Sequence, residues 1–197
     1  MFYLITIFIS VILLSLGVFL CDGIFTFIAF VKILGATALG ALAAFAIDGI
    51  FAFIARRLPE RWFSPEAKLF TVSSGERKLY RKMKINTWKK YVPELGCFTG
   101  FHKDKMRERT SSEYIGRFLL ESNYGVLGHV LGAVLGFLVM FLPFLRPLSM
   151  GLPIATINFI LSMLPTMILR YNTPSLRKVY RINVSREQMQ EGCVQAN

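Results

Sequence analysis

Apolar residues occur in four long runs, which predict four membrane-spanning helices. The runs extend over Phe2 to Leu20, Ile33 to Ala55, Ser122 to Leu142 and Leu148 to Leu169. Each has about the twenty residues that a helix needs to cross a bilayer. No Lys or Arg precedes the first run and no small-residue cleavage site follows it, so we expect a retained helix rather than a signal peptide. The predicted fold class is an all-α integral membrane bundle of about four transmembrane helices.

Polar residues are concentrated between the second and third runs. Sixteen of the 23 Lys and Arg residues lie in 56–120. We divide the chain into two N-terminal transmembrane helices (1–55), a basic interfacial or cytoplasmic segment (56–120), a transmembrane hairpin (121–170) and a cytoplasmic tail (171–197), which we expect to fray. Basic segments beside spanning helices favour the cytoplasmic side. The predicted location is therefore the cell membrane, multi-pass, with both termini in the cytoplasm.

The basic segment has amphipathic stretches. Residues 76–85 place Leu79, Tyr80 and Met83 on one side of a helix and cations on the other, and Trp88 continues the apolar edge. This pattern fits a helix that lies in the head-group plane. A small soluble cap packed on itself is the alternative. Further on, Thr110-Ser-Ser-Glu113 is a capping box that predicts a helix running into the third span.

Composition narrows the class of protein. Hydrophobic residues make up 54% of the 197, more than a soluble domain of this length can bury, and the net charge of +11 falls on the small polar remainder. Such charge beside membrane spans favours anionic lipids as partners over nucleic acid. No P-loop, GxSxG, GxGxxG or HExxH motif occurs, and Cys97 and His102 lack enough companions for a zinc site. We predict no metal and no bound cofactor.

Two ionisable residues lie at membrane depth, where each one calls for a partner or a function. Asp48 stands seven residues before Ala55, and His129 stands seven after Ser122, so both lie roughly 10 Å below the cytoplasmic interface. Asp48 continues a stripe of small residues on the second helix, and His129 borders a glycine stripe on the third (Gly125, Gly128, Gly132 and Gly136). If the stripes face each other, Asp48 can orient His129 as a general base. Polar contact between helices without catalysis is the alternative.

A second polar group lies at the predicted interface. Glu121 begins the third helix, and Arg170-Tyr171-Asn172 ends the fourth beside it. An ion pair between Arg170 and Glu121 would be a structural contact, and if partly exposed it would contribute little to the stability of the fold. The functional interpretation is that Arg170, Tyr171 and Asn172 orient a polar head group. Trp88 and Lys89 are either a membrane anchor or part of that site.

Several motifs together resemble one family. They are Arg57-Leu-Pro-Glu-Arg-Trp-Phe63, Lys84-Ile-Asn-Thr-Trp88-Lys89-Lys-Tyr-Val-Pro93-Glu94-Leu-Gly96, Glu121 with His129, and Pro165 followed by Arg170-Tyr171-Asn172-Thr173-Pro174-Ser175-Leu176. In this order they resemble the glycosyl-4,4'-diaponeurosporenoate acyltransferases of staphyloxanthin synthesis. Tyr124 and Val126 stand where the family pattern has Arg and Glu, so the acceptor need not be a carotenoid.

The resemblance implies an acyltransferase of carotenoid biosynthesis or glycolipid metabolism. Such an enzyme moves a fatty acyl group from acyl-CoA or another activated donor to a sugar hydroxyl of a lipid-linked acceptor. His129, Glu121 and Asp48 are then the expected catalytic residues, and Arg170, Tyr171, Asn172, Trp88 and Lys89 the expected substrate-binding residues. The alternatives are a non-catalytic membrane adaptor and another small lipid-modifying enzyme such as a methyltransferase. The glycine stripes suit packing within one chain and a homo-oligomer equally well.

Overall fold

A computed structural model describes the backbone of residues 2–92 and 110–195, with side chains for 4–92 and 110–193. Cys97, His102 and the motif residues 93–96 lie outside these ranges. The described residues form six α-helices: α1 (Phe2–Asp22), α2 (Phe27–Ala55), α3 (Ser74–Lys82), α4 (Ile85–Trp88), α5 (Ser112–Leu135) and α6 (Leu152–Gln195). Short 3₁₀ turns cover Glu60–Trp62, Lys68–Phe70, Lys89–Tyr91 and Gly136–Phe141, and one π turn covers Pro147–Gly151.

Four of these helices are long and apolar enough to cross a membrane, which confirms the predicted fold class. The helix start predicted at the capping box 110–113 is confirmed, since α5 begins at Ser112 and the Ser111 hydroxyl accepts the Tyr114 N–H. α2 begins earlier than predicted, at Phe27, because the Thr26 hydroxyl accepts the Ala29 N–H. The expectation that the tail frays is wrong, since α6 is helical to Gln195.

The chain divides into two compact units, and α5 and α6 each contribute residues to both. The first unit comprises 1–56, 91–93 and 127–166. Gly23, at φ +67°, makes the turn between α1 and α2, and Asp22 beside it accepts two hydrogen bonds from the Arg146 guanidinium, each 2.5 Å long. The core of this unit is aliphatic and consists of Val18, Ile33, Ala44, Val139, Leu145, Met150, Ile154 and Ala155.

The second unit comprises 57–90, 94–126 and 167–197. Its core packs α5 against α6 through Ile115, Phe118, Leu119 and Leu176. The irregular residues before α3 are attached to these helices by side chains that bond to their backbone. Asn123 donates to the Phe63 carbonyl at 2.9 Å, and the Tyr124 ring stacks on Phe63 at 3.9 Å between centroids. Buried backbone carbonyls need such donors where no regular structure supplies them.

The basic segment does not form the single helix predicted for 76–85. Lys84 adopts a left-handed backbone conformation with φ 51°, which ends α3 and separates it from α4. Tyr80 and Ile85 are buried in the second unit, whereas Leu79 and Met83 are exposed. The burial of Tyr80 and Ile85 agrees with the alternative of a small cap packed on itself. The exposure of Leu79 and Met83 leaves an apolar edge available to lipid.

Candidate active site and polar clusters

Asp48 is the centre of a polar cluster among the spanning helices of the first unit. Its Oδ1 accepts a hydrogen bond of 3.0 Å from Asn158 Nδ2, and its Oδ2 accepts one of 3.1 Å from Ser162 Oγ. Asn158 Nδ2 also lies 3.4 Å from the Gly132 carbonyl oxygen. The cluster therefore joins α2, α5 and α6, and it gives a membrane-depth carboxylate the hydrogen-bond partners that such a group requires.

The small residues around Asp48 allow this close approach. A Cβ at Gly132 would lie 2.6 Å from Asp48 Oδ1, and one at Gly128 would lie 3.4 Å from the Ala52 Cα. The prediction that the two stripes face each other is confirmed at this level of the membrane. About two turns along α2 from Asp48 the prediction is wrong, because Gly40 packs on Leu145 and Ile154 instead, where a Cβ would lie 2.8 Å from a methyl of each.

His129 lies on α5, three residues before Gly132, and is half-buried. Its position on the helix is therefore next to the face that meets Asp48. Asn158 and Ser162, which donate to the Asp48 carboxylate, were not among the predicted site residues. An orienting contact between Asp48 and His129 stays a prediction.

A sequence signal for Asn158 and Ser162 was present. With Thr166 they recur every four residues, so they line one side of an otherwise apolar helix. Ser162 and Thr166 are buried, and the Thr166 hydroxyl donates to the Ser162 carbonyl at 3.0 Å. Polar residues at this spacing in a spanning helix indicate a face turned toward other helices.

The predicted ion pair between Arg170 and Glu121 is replaced by others. In the second unit Arg170 binds Glu76 in a bidentate manner, with Nη2 at 2.8 Å from Oε2, and Arg117 pairs with Glu121 at 3.2 Å. The physical reason is that α3 presents its carboxylate directly to the guanidinium, whereas Glu121 has a cation one turn away on its own helix. Arg117 and Glu121 are an i,i+4 pair.

Glu76 is also bound by a tyrosine. The Tyr80 hydroxyl donates a short hydrogen bond to Glu76 Oε1. Hydrogen bonding by Arg170 lowers the pKa of the Glu76 carboxyl, and burial with the adjacent carboxylate raises the pKa of Tyr80 to about 12. The cluster at neutral pH is therefore an ionised carboxylate held by a cation and by a neutral phenol.

Two of the predicted substrate-binding residues, Lys89 and Tyr171, are in contact in the second unit. The Lys89 ammonium lies 5.5 Å from the centroid of the Tyr171 ring, a cation–π contact. Trp88 Nε1 donates to the Met83 carbonyl at 3.0 Å, so its indole is fixed to α3. Asn172 is half-buried. Lys89, Tyr171 and Asn172 thus offer a cation, an aromatic face and an amide, which are groups that bind the hydroxyls and rings of sugars.

Two further arginines of α6 bind the irregular segment. Arg177 is 9% exposed and donates to the Thr71 hydroxyl at 2.9 Å and to the Ala67 carbonyl at 2.8 Å. Arg181 forms a bidentate pair with Glu66 at 2.9 and 2.7 Å. The second half of α6 is therefore a structural element that holds residues 66–76, which explains why it does not fray.

Comparison with known proteins identifies the family. The family model described as glycosyl-4,4'-diaponeurosporenoate acyltransferase matches residues 59–182. That range holds Trp88, Lys89, Glu121, His129 and Arg170–Asn172, whereas Asp48 precedes it. Neither the curated proteins nor the solved structures gave a match to this chain. Because the matched range covers more than half of the 197 residues, the chain belongs to the glycosyl-4,4'-diaponeurosporenoate acyltransferase family.

Proposed function

We propose that this protein transfers a fatty acyl group from an activated donor such as acyl-CoA to a sugar hydroxyl of a glycosylated lipid. The reaction takes place at the cytoplasmic face of the cell membrane, with both termini of the chain in the cytoplasm. The observation that carries the proposal is the family match over 59–182. This range contains His129, which lies on α5 next to the face that meets Asp48.

His129 is the proposed general base. The imidazole takes the proton of the acceptor hydroxyl while its oxygen attacks the thioester carbonyl, and it returns the proton to the departing thiolate. Its half-buried position on α5, three residues before Gly132, supports this role, because ionisable side chains in spanning helices are costly and are retained mainly at functional sites. Asp48, through an orienting contact, and Glu121 are the proposed acidic supporting residues.

The residues of the second unit are proposed to bind the acceptor. Tyr171 stacks against a sugar ring and Asn172 bonds to a hydroxyl, while Lys89 and Trp88 bind at the membrane surface. Arg170 is held by Glu76, so its proposed contribution is to fix the adjacent Tyr171 and Asn172 rather than to carry an uncompensated charge. The exposed cations of the basic segment gather the anionic donor and membrane lipids by long-range attraction.

Lipid mass spectrometry tests the proposal. Membranes that contain the protein, a glycosylated isoprenoid lipid and acyl-CoA should accumulate a product heavier by one acyl chain. His129→Ala should reduce its rate of formation by about 10²–10⁴-fold. Val134→Ala, at a lipid-exposed position of the same helix, is the matched control and should keep the rate.

The adaptor alternative predicts the opposite pattern. If His129→Gln keeps full activity in a protein that elutes normally on gel filtration, general-base catalysis by His129 is wrong. If no acylated product forms with any glycosylated acceptor although the protein is folded, the transferase proposal itself fails.

A further inference from the structure

The α3 helix has a row of exposed apolar residues. Leu79 and Met83 are both exposed, and because they are four residues apart they lie next to each other on one side of the helix. Glu76 and Tyr80, also four residues apart, form the adjacent row, and that row faces α6, since Glu76 binds Arg170. The apolar row (Leu79 and Met83) therefore flanks the face by which α3 is attached to α6.

Cations border the apolar row on its other flank. Lys78 and Lys82 each come one residue before a member of the apolar row, so they form a parallel row beside it. Within the described residues, the following cations of α3 and its C-terminal end are exposed and have no ion pair: Arg77, Lys78, Arg81, Lys82 and Lys84. Glu76 is the one carboxylate between residues 74 and 85, and Arg170 neutralises it. This surface therefore combines an exposed apolar row with positive charge that the described residues do not compensate.

Two contacts with α6 fix the level of this surface. Arg170, the partner of Glu76, is the first charged residue after the apolar run that ends at Leu169. Lys89, which follows α4, lies over the ring of Tyr171, the next residue of α6. Residues 76 and 89 therefore both meet α6 where its sequence changes from apolar to polar, which in a spanning helix is the level of the lipid head groups.

We propose that α3 docks on the head-group region of a bilayer that contains anionic lipids. The apolar row enters the boundary between head groups and acyl chains, and the lysines beside it extend along that boundary so that their ammonium groups meet lipid phosphates. Anionic lipid is favoured over an acidic protein because the row lies at the level at which head groups already surround the chain. Contact of this kind goes beyond long-range attraction, since it requires Leu79 and Met83 to leave water.

Docking of α3 has a consequence for the candidate site. The helix carries Glu76, which holds Arg170, and at its C-terminal end the Met83 carbonyl accepts a hydrogen bond from Trp88 Nε1. A surface that seats α3 therefore also fixes two of the predicted substrate-binding residues. The effect on turnover rests on the proposed function, and it makes anionic lipid an activator of the enzyme.

A fluorophore that responds to its surroundings tests the docking without any need for turnover. The full chain, with its three native cysteines replaced by serine, carries nitrobenzoxadiazole on a single cysteine introduced by Leu79→Cys. The protein is reconstituted in vesicles of phosphatidylcholine with about one third phosphatidylglycerol, or of phosphatidylcholine alone. In the anionic vesicles the label should emit at shorter wavelength and be quenched by lipids that carry a nitroxide just below the glycerol. Arg81→Cys, at the same level of the helix but on its opposite side, is the matched control and should report an aqueous environment.

The charge requirement is tested in the labelled Leu79→Cys protein. Lys78→Gln and Lys82→Gln should each lower the ratio of inserted to free label by about fivefold, which corresponds to about 1 kcal/mol for each cation near an anionic surface. Salt at about 1 M should remove the difference between the two kinds of vesicle. Met83→Cys gives a second labelling position, and it keeps the test valid if Leu79→Cys does not fold.

Two outcomes would overturn the docking. One is equal quenching of the labels at residues 79 and 81 in anionic vesicles. The other is an emission from the label at residue 79 that is equally blue-shifted in detergent and in both kinds of vesicle, because protein, such as a second copy of the chain, would then cover the apolar row.

Activity measurements separate the docking from the proposed function. Product formation should be about fivefold or more faster in anionic vesicles than in phosphatidylcholine, and Leu79→Ser combined with Met83→Ser should remove this stimulation. Docking as expected with equal turnover in both kinds of vesicle would overturn the activation by anionic lipid. Docking as expected in a protein without transferase activity would support the docking and refute the proposed reaction.

Discussion

Replacing Glu76 by Gln should destabilise the second unit far more than the same change at Glu66. Both carboxylates form bidentate pairs with an arginine of α6, Glu76 with Arg170 and Glu66 with Arg181. The difference lies in burial. The Arg170 and Glu76 side chains are 20% and 21% exposed, whereas those of Arg181 and Glu66 are 67% and 48% exposed.

The magnitude follows from these exposures. Removing one partner of a fully buried pair costs about 3–5 kcal/mol, because the remaining charge is left without compensation. The Arg170–Glu76 pair keeps about a fifth of its surface in contact with solvent, and Gln still accepts from Tyr80, so we expect about 2 kcal/mol. For a chain of this size that corresponds to a decrease of roughly 4–8 °C in Tm. The Glu66 pair is screened by solvent, and its loss should not change Tm measurably.

Tryptophan fluorescence during heating of the detergent-solubilised protein measures this difference. The two tryptophans of the chain, Trp62 and Trp88, both belong to the second unit, so the signal reports its unfolding. Glu66→Gln is the matched control. Equal decreases in Tm for the two variants, or none for Glu76→Gln, would refute the argument that burial sets the strength of these pairs.

Three further predictions concern packing and ionisation. Gly132→Leu should destabilise the first unit by about 1–3 kcal/mol, because its Cβ would lie 2.6 Å from Asp48 Oδ1. Gly17→Leu, whose Cβ meets open space, is the control, and gel filtration after heating compares the folded fraction of the two variants. Since Arg170 lowers the pKa of Glu76, the Tm difference between wild type and Glu76→Gln should be complete above pH 4.5 and should disappear as pH falls through the lowered pKa. Because the pKa of Tyr80 is about 12, Tyr80→Phe should leave the ultraviolet titration of tyrosine unchanged up to pH 10.

Much of the fold could be predicted from local patterns of apolar and polar residues in the sequence. Each spanning helix needs a run of apolar residues that is visible in the sequence without reference to any other part of the chain. The boundaries were less certain because they depend on caps and on tertiary contacts. α6 is the clearest case, since its polar second half is helical while Arg177 and Arg181 bind residues 66–71.

The candidate site could be predicted only in part. The small residues around Asp48 follow from helical periodicity, and that part of the prediction agrees with the structure. Its hydrogen-bond partners, Asn158 and Ser162, are 110 and 114 residues away. Several polar residues at similar depths were available, and periodicity alone does not choose among them.

The sequence by itself determined that a strongly basic segment lies between two pairs of apolar helices, and its ordered motifs indicated the acyltransferase family. These are properties of composition and local order, so they do not depend on which helices touch. Only the tertiary structure decided that Glu76 rather than Glu121 binds Arg170, and that Asn158 and Ser162 hold Asp48. Those outcomes depend on distances between residues remote in the chain, which the packing of side chains fixes.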